Sequence, residues 1–127
     1  MKLKKLKGIL IDAYNKKIET IDLSYTDTSD LINKMYVIGK YSTFAGIRVS
    51  QHDMMFVDDE GLINGTKVGF ISNLYTDENN KPIPLMGNAI IIGTTRSGGN
   101  KNCTLKIKDL EPEIKFFKHN DEIISKS

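Results

Sequence analysis

Tryptophan is absent from this 127-residue sequence, which also has only one cysteine and three prolines. The single cysteine, Cys103, excludes an internal disulfide, and such low usage favours a reducing compartment. No segment approaches the roughly 18 consecutive apolar residues of a membrane-spanning helix. The basic N-terminal segment has the charge of a secretion signal, but Asp12 interrupts its apolar stretch and no small-residue cleavage site follows. These absences predict a cytoplasmic protein without a membrane partner.

Strong net charge is also lacking, since the formal charge is only +2. That value is too small to require a polyanionic partner such as a nucleic acid. Lysines are nevertheless concentrated at the start of the chain, at Lys2, Lys4, Lys5 and Lys7. Lysines in such a position protect an exposed edge strand from aggregation, and a phosphate-contacting arm is the alternative interpretation.

Residue patterns typical of catalytic or metal centres are missing. The two histidines, His52 and His119, have no serine or cysteine beside them in the sequence. A nucleophile and its base would have to meet through the fold, which the spacing does not indicate. The sequence therefore predicts a protein that is not an enzyme, with no catalytic residues, no cofactor and no metal ligands.

Length and patterning indicate one domain over residues 1–127, with an ordered core of about residues 6–118 and a polar tail at 119–127. A hairpin is predicted from residue 6, with its turn at Asn15-Lys16. A helix follows that is capped by Thr28 or Ser29 and ends at Gly39. Further strands are predicted at 44–49, 54–57, 89–92 and 104–108, and a last helix, capped by Asp109, at 110–119. Residues 67–75 suit either a strand or a helical turn.

The run at 89–92, Ala-Ile-Ile-Ile, is uncharged and mostly β-branched. That composition is typical of a strand covered on both faces. The helix that ends at Gly39 is too short to be stable alone and has to pack on a sheet. The predicted fold class is α+β, a small antiparallel-rich sheet with one or two helices packed on one face.

The loop at 94–101 is the strongest candidate for a binding site. It follows the buried strand and combines hydroxyls, glycines and two cations, in the order Thr-Thr-Arg-Ser-Gly-Gly-Asn-Lys. Backbone N–H groups around Ser97, Gly98 and Gly99 could turn towards an anion while Arg96 grips it. Arg48 and Lys101 are possible helpers. A hairpin loop without a ligand is the alternative, since the order of a phosphate-binding P-loop is not met.

An acidic turn, Asp58-Asp59-Glu60, lies a few residues after His52 and Asp53. Asp58 and Glu60 could hold a hard cation or take part in hydrolysis with His52. The spacing of an EF-hand is absent, however, and successive strand residues point to opposite sides. The alternative is a solvated turn in which the carboxylates cap local N–H groups.

The helix ending in Gly39, the turn at 58–61, Asn64-Gly65 and the later Gly87 and Gly93 occur in an order that resembles a known family. It is a family of small proteins of unknown function, encoded by bacteriophages, prophages and plasmids. The likeness covers residues 6–117, although 67–70, Lys-Val-Gly-Phe, departs from the family pattern. The resemblance implies a mobile-element origin and adds Asp59, Glu60 and Asn64 to the candidate binding residues.

Together these features predict a non-catalytic accessory binding protein of a phage or mobile element, working in the host cytoplasm. Its partner would be a host protein or a small signal molecule, and inhibition of a host defence is one form of that role. The first alternative is nucleic-acid or nucleotide binding through residues 94–101, with nucleic acid the less favoured partner. The second is a small hydrolase that uses residues 52–60. Homo-oligomerisation is left open.

Overall fold

Strands dominate the computed structural model, which describes residues 2–41, 43–59 and 65–118. The chain forms β1 (Lys7–Asp12), β2 (Lys17–Asp22), α1 (Thr28–Gly39), β3 (Phe44–Arg48), β4 (Asp53–Asp58), β5 (Val68–Ile71), β6 (Leu85–Met86), β7 (Ala89–Thr94), β8 (Asn100–Lys101), α2 (Ile107–Leu110), a 3₁₀ helix (Glu111–Glu113) and β9 (Lys115–Lys118). Among the described residues, neither α-helix has the length and apolar composition needed to cross a bilayer.

The main sheet has the order β2-β1-β7-β4-β3, and every neighbouring pair is antiparallel. Its middle strand, β7, is the run that the sequence predicts to be covered on both faces. Residues 89–92 are at most 2% exposed, which confirms that prediction. Because strand side chains alternate, Ile90 and Ile92 face one side while Ala89 and Ile91 face the other.

Helix α1 covers one face of the main sheet. Leu31 and Met35 pack with Ile90 and Ile92 of β7 in one apolar cluster. The predicted helix is confirmed, but its N-cap is Asp27, whose carboxylate accepts from the Asp30 amide at 2.9 Å. Asp27 is favoured because Asp30 reciprocates by accepting from the backbone amide of Thr26, so two free N–H groups are satisfied at once.

A second antiparallel sheet, ordered β6-β5-β9, covers the opposite face. Phe70 of β5 packs with Leu110 and Ile114 against Ile9 and Ile91 of the main sheet. The sequence of residues 67–75 is compatible with either a strand or a helical turn, and the structure shows that they contain a strand, β5. The α+β class is confirmed, with α1 on one face. The second sheet, which the sequence does not predict, lies on the other together with α2.

The C-terminal predictions at 104–108 and 110–119 are wrong. Only four residues, Ile107–Leu110, form the α-helix, and Pro112 lies in the first turn of the 3₁₀ helix that follows. The backbone then extends into β9, where Phe116 and Phe117 pair with Phe70 and Gly69 of β5. Pairing with a distant strand thus outweighs the local helical spacing of Leu110 and Ile114. Residue 119 lies outside the described residues.

The segment at 104–106 shows the predicted alternation of half-buried and exposed side chains but is not a strand. Its backbone bonds instead to a buried carboxylate. Asp53, at the start of β4, accepts from the Thr104 amide at 2.8 Å, from the Thr104 hydroxyl and from the Ser50 hydroxyl at 2.7 Å. Burial raises the pKa of the Asp53 carboxyl, but these hydrogen bonds outweigh burial and hold the pKa below its ordinary value.

We expect Asp53→Asn to lower the free energy of unfolding by about 2 kcal/mol at pH 7, because hydrogen bonds to a charged acceptor contribute roughly 1.5–3 kcal/mol. A lowered folded-state pKa adds stability that is present above the unfolded pKa of about 3.9 and is lost as pH falls through the folded value. The difference between wild type and variant should therefore shrink below about pH 4. Urea denaturation at pH 7 and pH 3 measures both effects.

The matched control is Asp109→Asn, which neutralises an exposed carboxylate and should change stability little at either pH. An equal loss in the two variants, or a difference from wild type that does not vary with pH, would contradict this role for Asp53.

Candidate functional site

The strand directions divide the candidate binding residues between opposite ends of the main sheet. β4 begins with Asp53 beside Gly93 of β7 and ends with Asp58 beside Phe44 of β3. Arg48 and the loop at 94–101 therefore lie at the first of these ends, and Asp59 lies at the second. Glu60 and Asn64 are outside the described residues.

His52 and Asp58 flank opposite ends of β4 and so do not meet. At about 3.3 Å per strand residue, roughly 20 Å separates them. A hydrolytic site that uses both on one substrate atom is incompatible with this geometry. Among the described residues, no three His, Cys, Asp or Glu side chains converge in a way that could hold a metal ion.

At the first end of the sheet, the β3–β4 turn and the start of the β7–β8 loop enclose an open depression of about 310 Å³. We call it the cationic depression. It is lined by Arg48, Gln51, His52, Thr94, Thr95 and Arg96. The lining includes two guanidinium groups, an imidazole and two hydroxyls, and none of the described residues that line it is acidic. The end of the sheet is thus suited to an anionic group.

Arg48 joins the two segments that form the cationic depression. One of its terminal nitrogens, Nη1, donates to the Gln51 carbonyl at 3.2 Å and to the Thr94 hydroxyl at 3.3 Å. The turn itself is closed by the Val49 amide, which donates to the Asp53 carbonyl at 3.1 Å. Because a guanidinium carries five N–H groups, Arg48 can hold this turn and still present donors to a ligand.

The β7–β8 loop is a hydrogen-bonded turn closed by Thr95. The Gly98 amide donates to the Thr95 carbonyl at 3.1 Å, and the Gly99 amide donates to the Thr95 hydroxyl at 2.9 Å. Gly98 has a φ of 89°, a backbone conformation that favours glycine. The amides of Gly98 and Gly99 are therefore used within the loop and do not form the expected anion cradle. The Ser97 hydroxyl lies 3.1 Å from the Thr95 hydroxyl.

Of the two expected helpers of Arg96, the structure brings Arg48 to the same depression. Lys101 does not line it, because it lies on β8 opposite Gly93. Sequence reasoning missed His52 and Gln51 as lining residues. The available signal was the hairpin at 44–57, whose turn carries both, but the pairing of β4 with β7 that brings Thr94 alongside cannot be derived from local pattern.

Comparisons with protein-family models, with curated proteins and with solved structures find no match to this chain. The interpretation of the site therefore rests on the geometry of its own residues.

Cys103 lies near this end of the sheet but is not suited to act as a nucleophile. Burial raises the pKa of its thiol to about 12, and the negative charge of Asp53 acts in the same direction. The thiolate is the reactive form of cysteine, and at neutral pH it is very scarce at so high a pKa.

We expect Cys103 to react with iodoacetamide at pH 8 at least about tenfold more slowly in the native protein than in urea, because unfolding returns the thiol to an ordinary pKa near 8.5. Asp53→Asn should accelerate the native reaction, since it removes a nearby negative charge. Mass spectrometry over time gives both rates. Equal rates in native and unfolded protein would contradict the proposed burial effect.

Proposed function

We propose that the protein is a non-catalytic binding protein that holds a phosphorylated small molecule of nucleotide size in the cationic depression. The observation that supports this most directly is the convergence of Arg48, His52 and Arg96 on one open volume of about 310 Å³. Ligand sites for small molecules commonly start at about 300 Å³. A single phosphate-bearing molecule fits that volume better than an extended partner does.

Phosphate is the favoured anion because of the donor types present. A guanidinium donates two parallel N–H groups, which matches the oxygens of a phosphate, and hydroxyls from Thr94 and Thr95 add neutral donors. Arg48 is already oriented by its bonds to Gln51 and Thr94, so less side-chain freedom is lost when a ligand binds.

Binding without turnover is proposed because, in the part of the chain that the structure describes, no carboxylate is bonded to the His52 side chain. The neighbouring carboxylate, Asp53, uses both of its oxygens to accept from Ser50 and Thr104. A general base in a hydrolase is normally held by such a third group. The alternative hydrolase assignment also requires Asp58, which lies at the far end of β4.

The wider role that we propose is that of an accessory protein of a phage or mobile element in the host cytoplasm. The resemblance to phage and plasmid proteins supports it. Sequestering a phosphorylated host signal would blunt a host defence and requires only a binding site. The other form of the proposed role is binding to a host protein, in which a surface of this chain blocks the partner's functional site.

A second candidate function is nucleic-acid binding at the same end of the sheet. Lys7, at the start of β1, is joined to Asn102 by a 2.8 Å hydrogen bond from the Lys7 amide to the Asn102 side chain. Lys7 and Lys101 therefore extend the positive surface beyond Arg96, as a phosphate backbone would require.

Isothermal titration with inorganic phosphate, nucleoside mono- and triphosphates and cyclic nucleotides tests the proposal. We expect binding by at least one nucleotide, and we expect Arg96→Ala to weaken it by about tenfold or more, because hydrogen bonds to charged groups contribute roughly 1.5–3 kcal/mol. Lys81→Ala is the matched control: it removes one positive charge from an exposed residue in the turn with Asp77.

Absence of nucleotide binding at low salt, or equal weakening by the two variants, would contradict the proposed site. A titration with single-stranded and double-stranded oligonucleotides separates the second candidate. Nucleic-acid binding would show an affinity that falls steeply as salt rises, because several counterions are released together.

A further inference from the structure

Among the described residues, five strands have a strand partner on one side only, and they differ in how well they are protected against pairing with another chain. The main sheet ends at β2 and β3, the two-residue strand β8 pairs with β7 alone, and the second sheet ends at β6 and β9. β2 carries three charges, at Lys17, Glu19 and Asp22, and β9 begins and ends with lysine. β6 has only two residues. Charges and short length are the usual protection of an exposed edge.

β3 has neither protection over most of its length. Its five residues, Phe44–Arg48, are uncharged until the last one. Gly46, in the middle of the strand, is exposed. Among the described residues, β3 pairs with β4 alone, so its other side has no strand partner.

The hydrogen-bond pattern shows which backbone groups point away from β4. The Val49 amide donates to the Asp53 carbonyl, and the Asp59 amide donates to the Thr43 carbonyl. Because antiparallel strands exchange bonds at every second residue, Ala45 and Ile47 also bond towards β4. The N–H and C=O groups of Phe44, Gly46 and Arg48 therefore point outwards. No described residue bonds to them.

We propose that β3 pairs antiparallel with β3 of a second copy of this chain, with Gly46 on the two-fold axis. The two main sheets then form one continuous sheet. Such strand addition obtains its affinity from main-chain hydrogen bonds. This inference is independent of the proposed ligand.

The register follows from the outward-pointing groups. Only Phe44, Gly46 and Arg48 can bond to the second copy, and each must face another outward residue. Centring the pair on Gly46 overlaps the whole strand and places Phe44 of one copy opposite Arg48 of the other. A pairing centred on Arg48 would overlap fewer residues and bring two positive charges face to face, which is destabilising.

Charge complementarity also favours this pairing. Arg48 lies at the basic end of the main sheet, whereas Asp58 and Asp59 lie at the opposite end beside Phe44 and Thr43. An antiparallel pair brings the basic end of one copy next to the acidic end of the other. With strands about 4.8 Å apart, Arg48 of one copy lies roughly 10 Å from the strand that carries Asp58 in the other.

The helices leave room for a second copy. α1 packs over β7, the middle strand, and α2 packs against β2 at the other edge. Tyr36 of α1 also contacts β3, with its ring centroid 5.0 Å from that of Phe44, but this contact lies on the face of the sheet that carries α1. Among the described residues, neither helix forms a hydrogen bond with the outward-pointing backbone groups of β3.

Sedimentation equilibrium over a hundredfold range of protein concentration tests the pairing. We expect the mass to rise from 14.3 kDa towards twice that value as concentration increases. Ala45→Lys places a charge on the pairing edge and should return the protein to monomer. Thr20→Lys, which adds the same charge to β2 at the opposite edge, should leave the dimer intact. Thermal unfolding of both variants confirms that they fold.

Gly46→Cys provides a second test that reports the register. Opposed hydrogen-bonded residues have Cα atoms about 5.5 Å apart, within the range of a disulfide, so diamide should cross-link this variant to a covalent dimer. Wild type, whose Cys103 is half-buried, and Thr20→Cys should not cross-link in this way. A wild-type mass of 14.3 kDa at every concentration would overturn the proposal. So would a dimer that survives Ala45→Lys or in which Gly46→Cys fails to cross-link.

Discussion

Burial of β7 on both faces is the constraint on which the rest of this structure depends. Its residues separate two apolar clusters, one under α1 and one under the second sheet. Fully burying an isoleucine contributes roughly 1.5–3 kcal/mol, so displacement of this strand would expose both clusters at once. The strand also ends at Thr94, beside the β3–β4 turn, and in that way positions the cationic depression.

A buried carboxylate, that of Asp53, lies directly behind the cationic depression, yet it does not neutralise the positive charge of that surface. Asp53 is turned inwards because Ser50 and Thr104 donate three hydrogen bonds to it. Those donors stabilise the ionised form and join the segment after β8 to β4. Arg48, His52 and Arg96 therefore remain on the outside. None of the described residues that line the depression with them is acidic, so the lining provides no acid to pair with them.

Strongly patterned segments were predictable from the sequence alone. The hairpin at Asn15-Lys16, helix α1 and the uncharged strand β7 each have a local pattern that agrees with their tertiary environment. The prediction of a C-terminal helix was wrong because Leu110 and Ile114 have helical spacing, whereas Phe116 and Phe117 pair with β5. Local spacing carries no information about that distant partner.

The same limit explains what was predictable of the site. Arg96 and Arg48 stand out by residue type, but only the register of β4 on β7 shows that they share a depression with His52. The acidic turn looked close to His52 in sequence, and the length of β4 separates them. The role expected for the glycine amides was wrong for a different reason, since Thr95 supplies acceptors that satisfy them within the loop.

Pairing through β3 would connect the two surfaces proposed above, the edge of β3 and the cationic depression. Residues opposite each other in an antiparallel pair lie on the same face of the sheet, so both copies of Arg48 would lie on the face that carries α1. The two copies of Arg48 are four residue steps apart along the strands in the proposed register, which corresponds to roughly 13 Å. A ligand with one phosphate would occupy each depression independently. A longer polyanion could reach both, and the second contact would then be intramolecular and much tighter overall. The valence of the ligand therefore decides whether dimerisation affects binding at all.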